Sequence, residues 1–354
     1  MITRFSLSNF KAHAHTDVAL RPFTVLVGAN GVGKTSMLEG LHILAQCLRT
    51  PTVDLLRGPW APRRLVRVPD VAIELSEAFH RSDGDENTIR LKVELDLEVD
   101  SRAFSSTGSV TPGGKDFASS ESFRSVHRSH PLIREASSAV MLRPSARAIA
   151  AVGHFTLGGS RVEYDGANTA GVIAAWKLDD DERLQQVTRA LQKVVPQVRA
   201  LRAKPVATGD DGVPAGVALF VDFDDAKDVP AELVSEGTLV ALSLLVLLHS
   251  APQPRLVLID DLGAQLHPSA QGELVSLLRE IQLQNPLLQI VASTHSPYVL
   301  DAVEPADVLV FARGKEGSAR VRPLAEHPNA NMEGITTGQL WTMDPESWVL
   351  EGEP

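Results

Sequence analysis

The chain has 354 residues, enough for a substantial core and for one large or two modest domains. Hydrophobic residues make up 44% and charged residues 22%, and the net charge of -10 gives no support to a generally basic nucleic-acid-binding surface, leaving only a local patch. The single cysteine, Cys47, excludes an intrachain disulfide and cysteine-cluster metal sites.

The opening MITRFSLSNFKAHAH lacks an apolar core of signal-peptide length, and no uninterrupted apolar run reaches membrane-spanning length. A cytoplasmic protein with no membrane partner is expected. Residues 23–40 read FTVLVGANGVGKTSMLEG: a short buried strand over Phe23–Val27, a glycine-punctuated loop over Gly28–Lys34, and an apolar-periodic helix from Thr35 to about Leu48. Gly28, Gly33, Lys34 and Thr35 match GxxxxGKT in its strand–loop–helix context. Glycines let backbone amides converge on phosphate oxygens, and the helix start adds its positive end. Asn30, Gly31, Gly33, Lys34, Thr35 and Ser36 are therefore candidate nucleotide ligands, with Lys34 on the outer phosphates and the Thr35 hydroxyl on magnesium. ATP and Mg2+ are the expected cofactors.

Residues 70–78 and 89–99 alternate in part, as strands of an antiparallel sheet do. Ser105–Ser120 carries too much Ser and Gly to pack and reads as a mobile loop. A mainly helical insertion is expected over 121–205. Within it, Leu184, Val187, Leu191 and Val194 share one helical face. No heptads persist beyond a few turns, which argues against a long coiled-coil arm. The intended division is 1–120, 121–205 and 206–354. Ser235-Glu236-Gly237-Thr238 precedes a helix from about Leu239; read alone, it is an N-terminal cap and an anion site.

Leu256–Asp260 is an apolar run without alternation, as expected of a central parallel strand covered on both faces. Ligands collect at the carboxyl ends of such strands, which assigns Asp260 to magnesium. Asp261 either polarises the attacking water or caps a turn. A further strand, Leu287–Ala292, leads to Ser293-Thr294-His295, where His295 can donate a hydrogen bond to a phosphate oxygen.

These motifs, in this order, resemble ABC-type ATPases of the SMC, Rad50 and RecF kind, and most nearly the single-chain bacterial AAA family ATPases related to the OLD nuclease ATPase domain. FSLSNFKAHAHTDVALRPFTVLVGANGVGKTS is similar to their N-terminal hairpin and Walker A motif, LIDDLGAQLHP to Walker B and the D-loop, and ASTHSPYVL to the switch-histidine motif. LRPSARAIAAVG, the stretch with Asn168, and the tail TTGQLWTMDPESWV are similar to their middle and ending. The resemblance implies an α/β P-loop NTPase fold with an ABC/SMC-head-like core, an N-terminal antiparallel sheet and a short mainly helical lobe. It casts Asp261, His295 and Lys34 as catalytic, and Ser235 and Gly237 as a signature offered to nucleotide on the opposite subunit. Relatives carry glutamate where this chain has Asp261, so slow turnover is expected. Arg143 and Arg147 are each candidates for phosphate or for an ordinary surface position.

The function implied is Mg-dependent ATP binding and slow hydrolysis by a head-to-tail, ATP-dependent homodimer acting in DNA maintenance, repair included, or in defence against mobile DNA. A protein effector is the expected partner and DNA a candidate one, through the basic stretch Arg189, Lys193, Arg199, Arg202 and Lys204 in a predominantly helical region. The alternative is an ATP-gated binding or signalling module with little hydrolysis. A transporter motor would need a transmembrane partner. No nuclease domain is expected to follow, and a nuclease acting alone has no acids left to use.

Overall fold

The computed structural model describes residues 1–47, 61–68, 72–80, 86–95, 104–110, 115–117, 138–154, 161–207 and 214–351. The N-terminal strands are β1 (Ile2–Phe10), β2 (His13–Ala19), β3 (Phe23–Gly28), β4 (Ile73–His80), β5 (Glu86–Leu95), β6 (Phe104–Val110) and β7 (Lys115–Phe117). Then come β8 (Ala139–Leu142), β9 (Val198–Ala207), β10 (Pro214–Phe223) and β11 (Val229–Pro230). The chain finishes with β12 (Leu256–Ile259), β13 (Gln289–Ser293), β14 (Val308–Arg313) and β15 (Ala319–Pro323). The longer helices are α1 (Lys34–Cys47), α2 (Thr169–Asp179), α3 (Asp181–Val194), α4 (Glu236–Leu248), α5 (Pro268–Gln284) and α6 (Thr337–Met343).

The chain divides into two compact units, each discontinuous in sequence. The first comprises 1–141, 255–259 and 285–354; the second comprises 142–254 and 260–284.

In the first unit, every residue of β3, β12 and β13 is buried, so these mainly apolar runs need no alternation. They form a sheet of order β15-β14-β3-β13-β12-β8, with β14, β3, β13 and β12 parallel and β15 antiparallel on β14. The second sheet, β2-β1-β4-β5-β6-β7, is antiparallel throughout. Its β2 alternates between exposed and buried positions from His15 to Ala19, with Thr16 and Val18 turned inward, while His13 is buried out of that phase. Helix α1 packs closely on β1: a Cβ on Gly40 would lie 2.5 Å from Leu7 Cδ2. Phe5, Leu7, Phe10, Leu38, Leu41 and Leu44 share one core. Gln289, 1% exposed, ties the two sheets: its Oε1 accepts from the Ile2 amide at 2.9 Å, and its Nε2 donates to the Ile2 and Arg21 carbonyls. Burying that amide is tolerable because its carbonyl and NH2 groups find partners.

Ser105–Ser120 does not behave as one mobile loop. Residues 104–110 pair with β5 and residues 115–117 with β6, extending the antiparallel sheet. Strand pairing is made by the backbone, so Ser and Gly can join an edge without apolar side chains. The remainder of that segment, and 121–137, lie outside the described residues.

In the second unit, residues 146–150, α2 and α3 are helical. Leu184, Val187, Leu191 and Val194 of α3 are all buried, as their spacing requires. The stretch from Val198, read as predominantly helical, is instead strand β9, paired antiparallel with β10, which pairs in turn with β11. Pro196 stops helical continuation, and the alternately buried Val217, Leu219 and Val221 of β10 supply a strand partner. Pro205 is accommodated because β9 is an edge strand. Among the described residues the longest helix is α5, with 17 residues, and no helix is long and apolar enough to cross a membrane.

Candidate functional site

The phosphate loop leaves the carboxyl end of β3 in the first unit. Gly28, Gly31 and Gly33 have φ of +140°, +76° and +116°, conformations open to glycine and strained for other residues. Two of the three also meet neighbours that leave no room for a side chain. A Cβ on Gly28 would lie 2.2 Å from the Phe311 carbonyl oxygen, and one on Gly33 would lie 2.9 Å from His13 Nε2. The Gly33 carbonyl accepts the first bond of α1, from the Met37 amide at 2.9 Å. Lys34 is 6% exposed, and its ammonium donates to the Gly28 and Ala29 carbonyls, both at 2.7 Å. The lysine thus curls back across the loop instead of extending into solvent. Asn30 and Gly31 are exposed, while Thr35 and Ser36 are half-buried on the first turn of α1.

Two side chains with no place in the motif also hold the loop. His13 of β2 reaches the Gly33 carbonyl, and the Glu346 carboxylate accepts a hydrogen bond from the Ala29 amide. The burial of His13 is out of phase with the alternation that follows it on the strand, so neither its burial nor its target is visible in sequence. Nothing local to Glu346 signals a partner 317 residues away.

Strand β13 borders β3, with Ser293 opposite Leu26, and the Thr294 amide donates to the Leu26 carbonyl at 3.0 Å. His295 follows, exposed, at the same carboxyl edge. The first unit therefore brings together Lys34, Thr35 and the strand end that carries His295.

The second unit holds the other predicted residues. Asp260 directly follows β12 in the chain, is 2% exposed, and donates its amide to the Leu142 carbonyl at 2.9 Å. Arg143 lies with Nε 3.6 Å from its carboxylate, so of the two arginines left open by sequence, Arg143 is beside an acid of the motif. Asp261 is exposed, with φ +61°, and its carbonyl accepts from the Ala264 amide in a turn. Ser235 is the N-cap of α4: its Oγ accepts from the Thr238 amide at 3.4 Å and lies 2.7 Å from Thr238 Oγ1. Gly237 is buried, and a Cβ there would come within 2.6 Å of the Gln265 carbonyl. The Ser235–Thr238 segment thus runs close against the backbone of the loop after the paired aspartates.

The basic stretch is largely neutralised within the second unit. Lys193 pairs with Glu280 at 2.6 Å, Arg199 with Asp224 at 2.5 Å, Arg202 with Asp222 at 2.6 Å and Lys204 with Asp228 at 2.7 Å. The Arg202 hydrogen bond holds the Asp222 carboxyl below its usual pKa, keeping it ionised.

The donor set suits a nucleoside triphosphate: a helix start, a loop of positive-φ glycines, a lysine folded against it, and a Thr hydroxyl on the first turn. Among the described residues there is no cluster of His, Cys, Asp or Glu built to hold a metal by itself.

A family model described as "AAA domain, putative AbiEii toxin, Type IV TA system" matches residues 23–301. The chain is 32% identical over 87 residues to Septu protein PtuA of Bacillus mycoides (strain KBAB4), 24% of this chain and 12% of that protein. It is 44% identical over 45 residues to the DNA replication and repair protein RecF of Arthrobacter sp. (strain FB24), 12% of this chain and 11% of that one. The matched spans are thus a small part of these relatives. In structure, the chain is similar to an SMC head bound to the C-winged helix domain of ScpA, with TM-score 0.62 at 15% identity over 91% of this chain and 97% of the other. An SMC head with an extended coiled coil from Pyrococcus furiosus, bound to the C-terminal domain of ScpA, gives TM-score 0.56 at 14% identity, over 91% and 95%. The α/β fold is that of an SMC head.

Proposed function

The chain belongs to the family described as "AAA domain, putative AbiEii toxin, Type IV TA system", and from that membership we propose that it is an ATP-driven molecular switch that binds Mg-ATP, closes head-to-tail with a second copy, and hydrolyses ATP slowly. The observation that carries this reading is the phosphate loop: three positive-φ glycines and a Lys34 ammonium held by the Gly28 and Ala29 carbonyls. Such a lysine is pre-placed, so little side-chain entropy remains to be lost when an anion arrives.

Asn30, Gly31, Gly33, Lys34, Thr35 and Ser36 hold the nucleotide, and Thr35 and Asp260 serve the metal. Bound magnesium supplies positive charge against the developing charge on the phosphates. Asp261 orients and deprotonates the attacking water, His295 donates to the terminal phosphate, and Lys34 neutralises its outer oxygens. Ser235 and Gly237 are offered to the nucleotide of the other copy. These roles rest on motif order and on the resemblance to SMC, Rad50 and RecF ATPases; the relation to the OLD nuclease ATPase domain belongs to the same proposal.

For the process, we favour DNA maintenance or defence against mobile DNA. The toxin system in the family's description and the replication and repair role in the RecF relative's name support it. A protein effector fits too, since the similar SMC heads are bound to domains of ScpA. The second reading, an ATP-gated module with little hydrolysis, is favoured by Asp261 standing in place of glutamate.

Lys34→Ala tests the core of the proposal. Its circular dichroism and melting should stay close to the parent, while Mg-ATP binding measured by calorimetry should fall at least a hundredfold, as expected when a buried charge-assisted contact is removed. A folded variant with parental affinity would overturn the site.

A further inference from the structure

His13 has no exposed surface, and both of its ring nitrogens are engaged. Nε2 lies 3.1 Å from the Gly33 carbonyl and Nδ1 lies 2.8 Å from Thr16 Oγ1. A carbonyl can only accept, so Nε2 carries the hydrogen. Burial, with the Arg67 charge adding to it against the Gly33 bond, holds the His13 pKa down to about 4. The ring is then neutral at ordinary pH, and Nδ1 accepts from the Thr16 hydroxyl. One tautomer satisfies the whole arrangement. Phe311 meets the ring edge-on, with centroids 6.3 Å apart and planes at 87°. The carbonyl of that same Phe311 is the neighbour that excludes a side chain at Gly28.

The β1–β2 hairpin that carries His13 is fastened on several sides. Asn9 exchanges hydrogen bonds with the Val68 backbone at 3.0 and 2.7 Å. Lys11 pairs with Glu39 of α1. Arg67 donates to the carbonyls of Ala12, Glu316 and Gly317. A histidine on so fixed a hairpin has a defined direction.

We propose that His13 is a positioning residue for the phosphate loop, its Nε2–H joining the Met37 amide on the Gly33 carbonyl to fix the orientation of the Gly33–Lys34 peptide. This rests on the loop being the nucleotide site proposed above. In a planar trans peptide, the carbonyl and the following amide point in opposite directions. Turning the Gly33 carbonyl onto His13 therefore aims the Lys34 amide away from the ring, as a donor for an anionic oxygen. The bare Gly33 is what allows the ring to come this close.

The test uses the full chain with His13→Phe, which keeps a buried ring and removes the donor, and His13→Gln, whose amide NH2 replaces Nε2–H. Two readouts are taken: hydrogen–deuterium exchange of residues 31–36 without nucleotide, and the Kd for Mg-ATP by titration with a fluorescent ATP analogue and competition. His13→Phe should raise loop exchange and weaken binding about tenfold, the scale of one hydrogen bond, with His13→Gln recovering most of both. A folded His13→Phe with parental exchange and parental Kd overturns the proposal. So does a His13→Gln that shows no recovery. If His13→Phe does not fold, Thr16→Val, which removes the hydroxyl holding Nδ1, should loosen the loop in the same sense, and unchanged exchange overturns the assignment. A parent chain that binds no ATP would sink the nucleotide reading alone, because the exchange arm still decides what His13 does.

Discussion

Asp261 takes φ of +61°, a region where aspartate and asparagine are the best-tolerated residues after glycine. That conformation gives a local reason for the shorter acid, since the turn closed by the Ala264 amide suits a small polar side chain. Its neighbour Asp260 is 2% exposed beside Arg143, so two identical residues in succession occupy opposite environments. The adjacent pair and the strand before it are legible in sequence; the burial that separates their roles is not. Their asparagine variants should therefore differ. Asp260→Asn should weaken Mg-ATP binding. Asp261→Asn keeps the shape and a residue suited to the left-handed turn, so binding should persist while turnover falls about a hundredfold or more. Phosphate release measured beside equilibrium ATP binding checks this. Parental turnover in Asp261→Asn would return Asp261 to being a turn residue.

At the scale of elements, the parallel strands and the loop–helix motif are readable because their chemistry is local: Phe23–Gly28, apart from Thr24, and Leu256–Ile259 carry no polar side chains, and both are buried throughout. Strands β6 and β9 escape such a reading. Phe104–Val110 has the composition of a loop and becomes a strand through backbone pairing with β5, a partner that composition does not reveal. Val198–Ala207 follows a strongly helical segment and changes type at Pro196, when β10 offers its edge. The start of α4 combines both kinds of information. Ser235 caps it as its sequence suggests, but Gly237 is required by a close approach to Gln265, far along the chain. Gly237→Ala should then cost about 1–3 kcal/mol, because backbone at the contact cannot swing aside. Gly272, in α5 with nothing within 4 Å of its would-be Cβ, is the control. Gly272→Ala should gain about 0.5–1 kcal/mol of helix propensity. Urea unfolding midpoints of the two variants should move in opposite directions, and a shared direction would remove the packing account of Gly237.

For the whole molecule, charge and long-range contacts matter most. The net charge is -10, and the cations at Lys193, Arg199, Arg202 and Lys204 are each matched by an acid. Four of the five cations of that basic run, all but Arg189, are thus paired within the fold, which lowers the electrostatic reach of the stretch toward DNA. Contacts such as Glu346 to Ala29 and Gln289 to Ile2 join residues hundreds of positions apart, beyond what motif spacing can express. Ser235 and Gly237, proposed as the signature, belong to one compact unit and the phosphate loop to the other. Under the proposed switch, the signature of one copy serves the nucleotide of the next, so assembly should need ATP and should last only while ATP is intact. Asp261→Asn, expected to bind without turning over, is the variant in which that closed state accumulates. Its mass by light scattering should double on addition of Mg-ATP and stay single without nucleotide. The parent should show only a transient or partial increase, since hydrolysis reopens the pair. A constitutive dimer would place the main interface elsewhere, and a monomer at saturating ATP would remove the head-to-tail mechanism while leaving nucleotide binding at Lys34 intact.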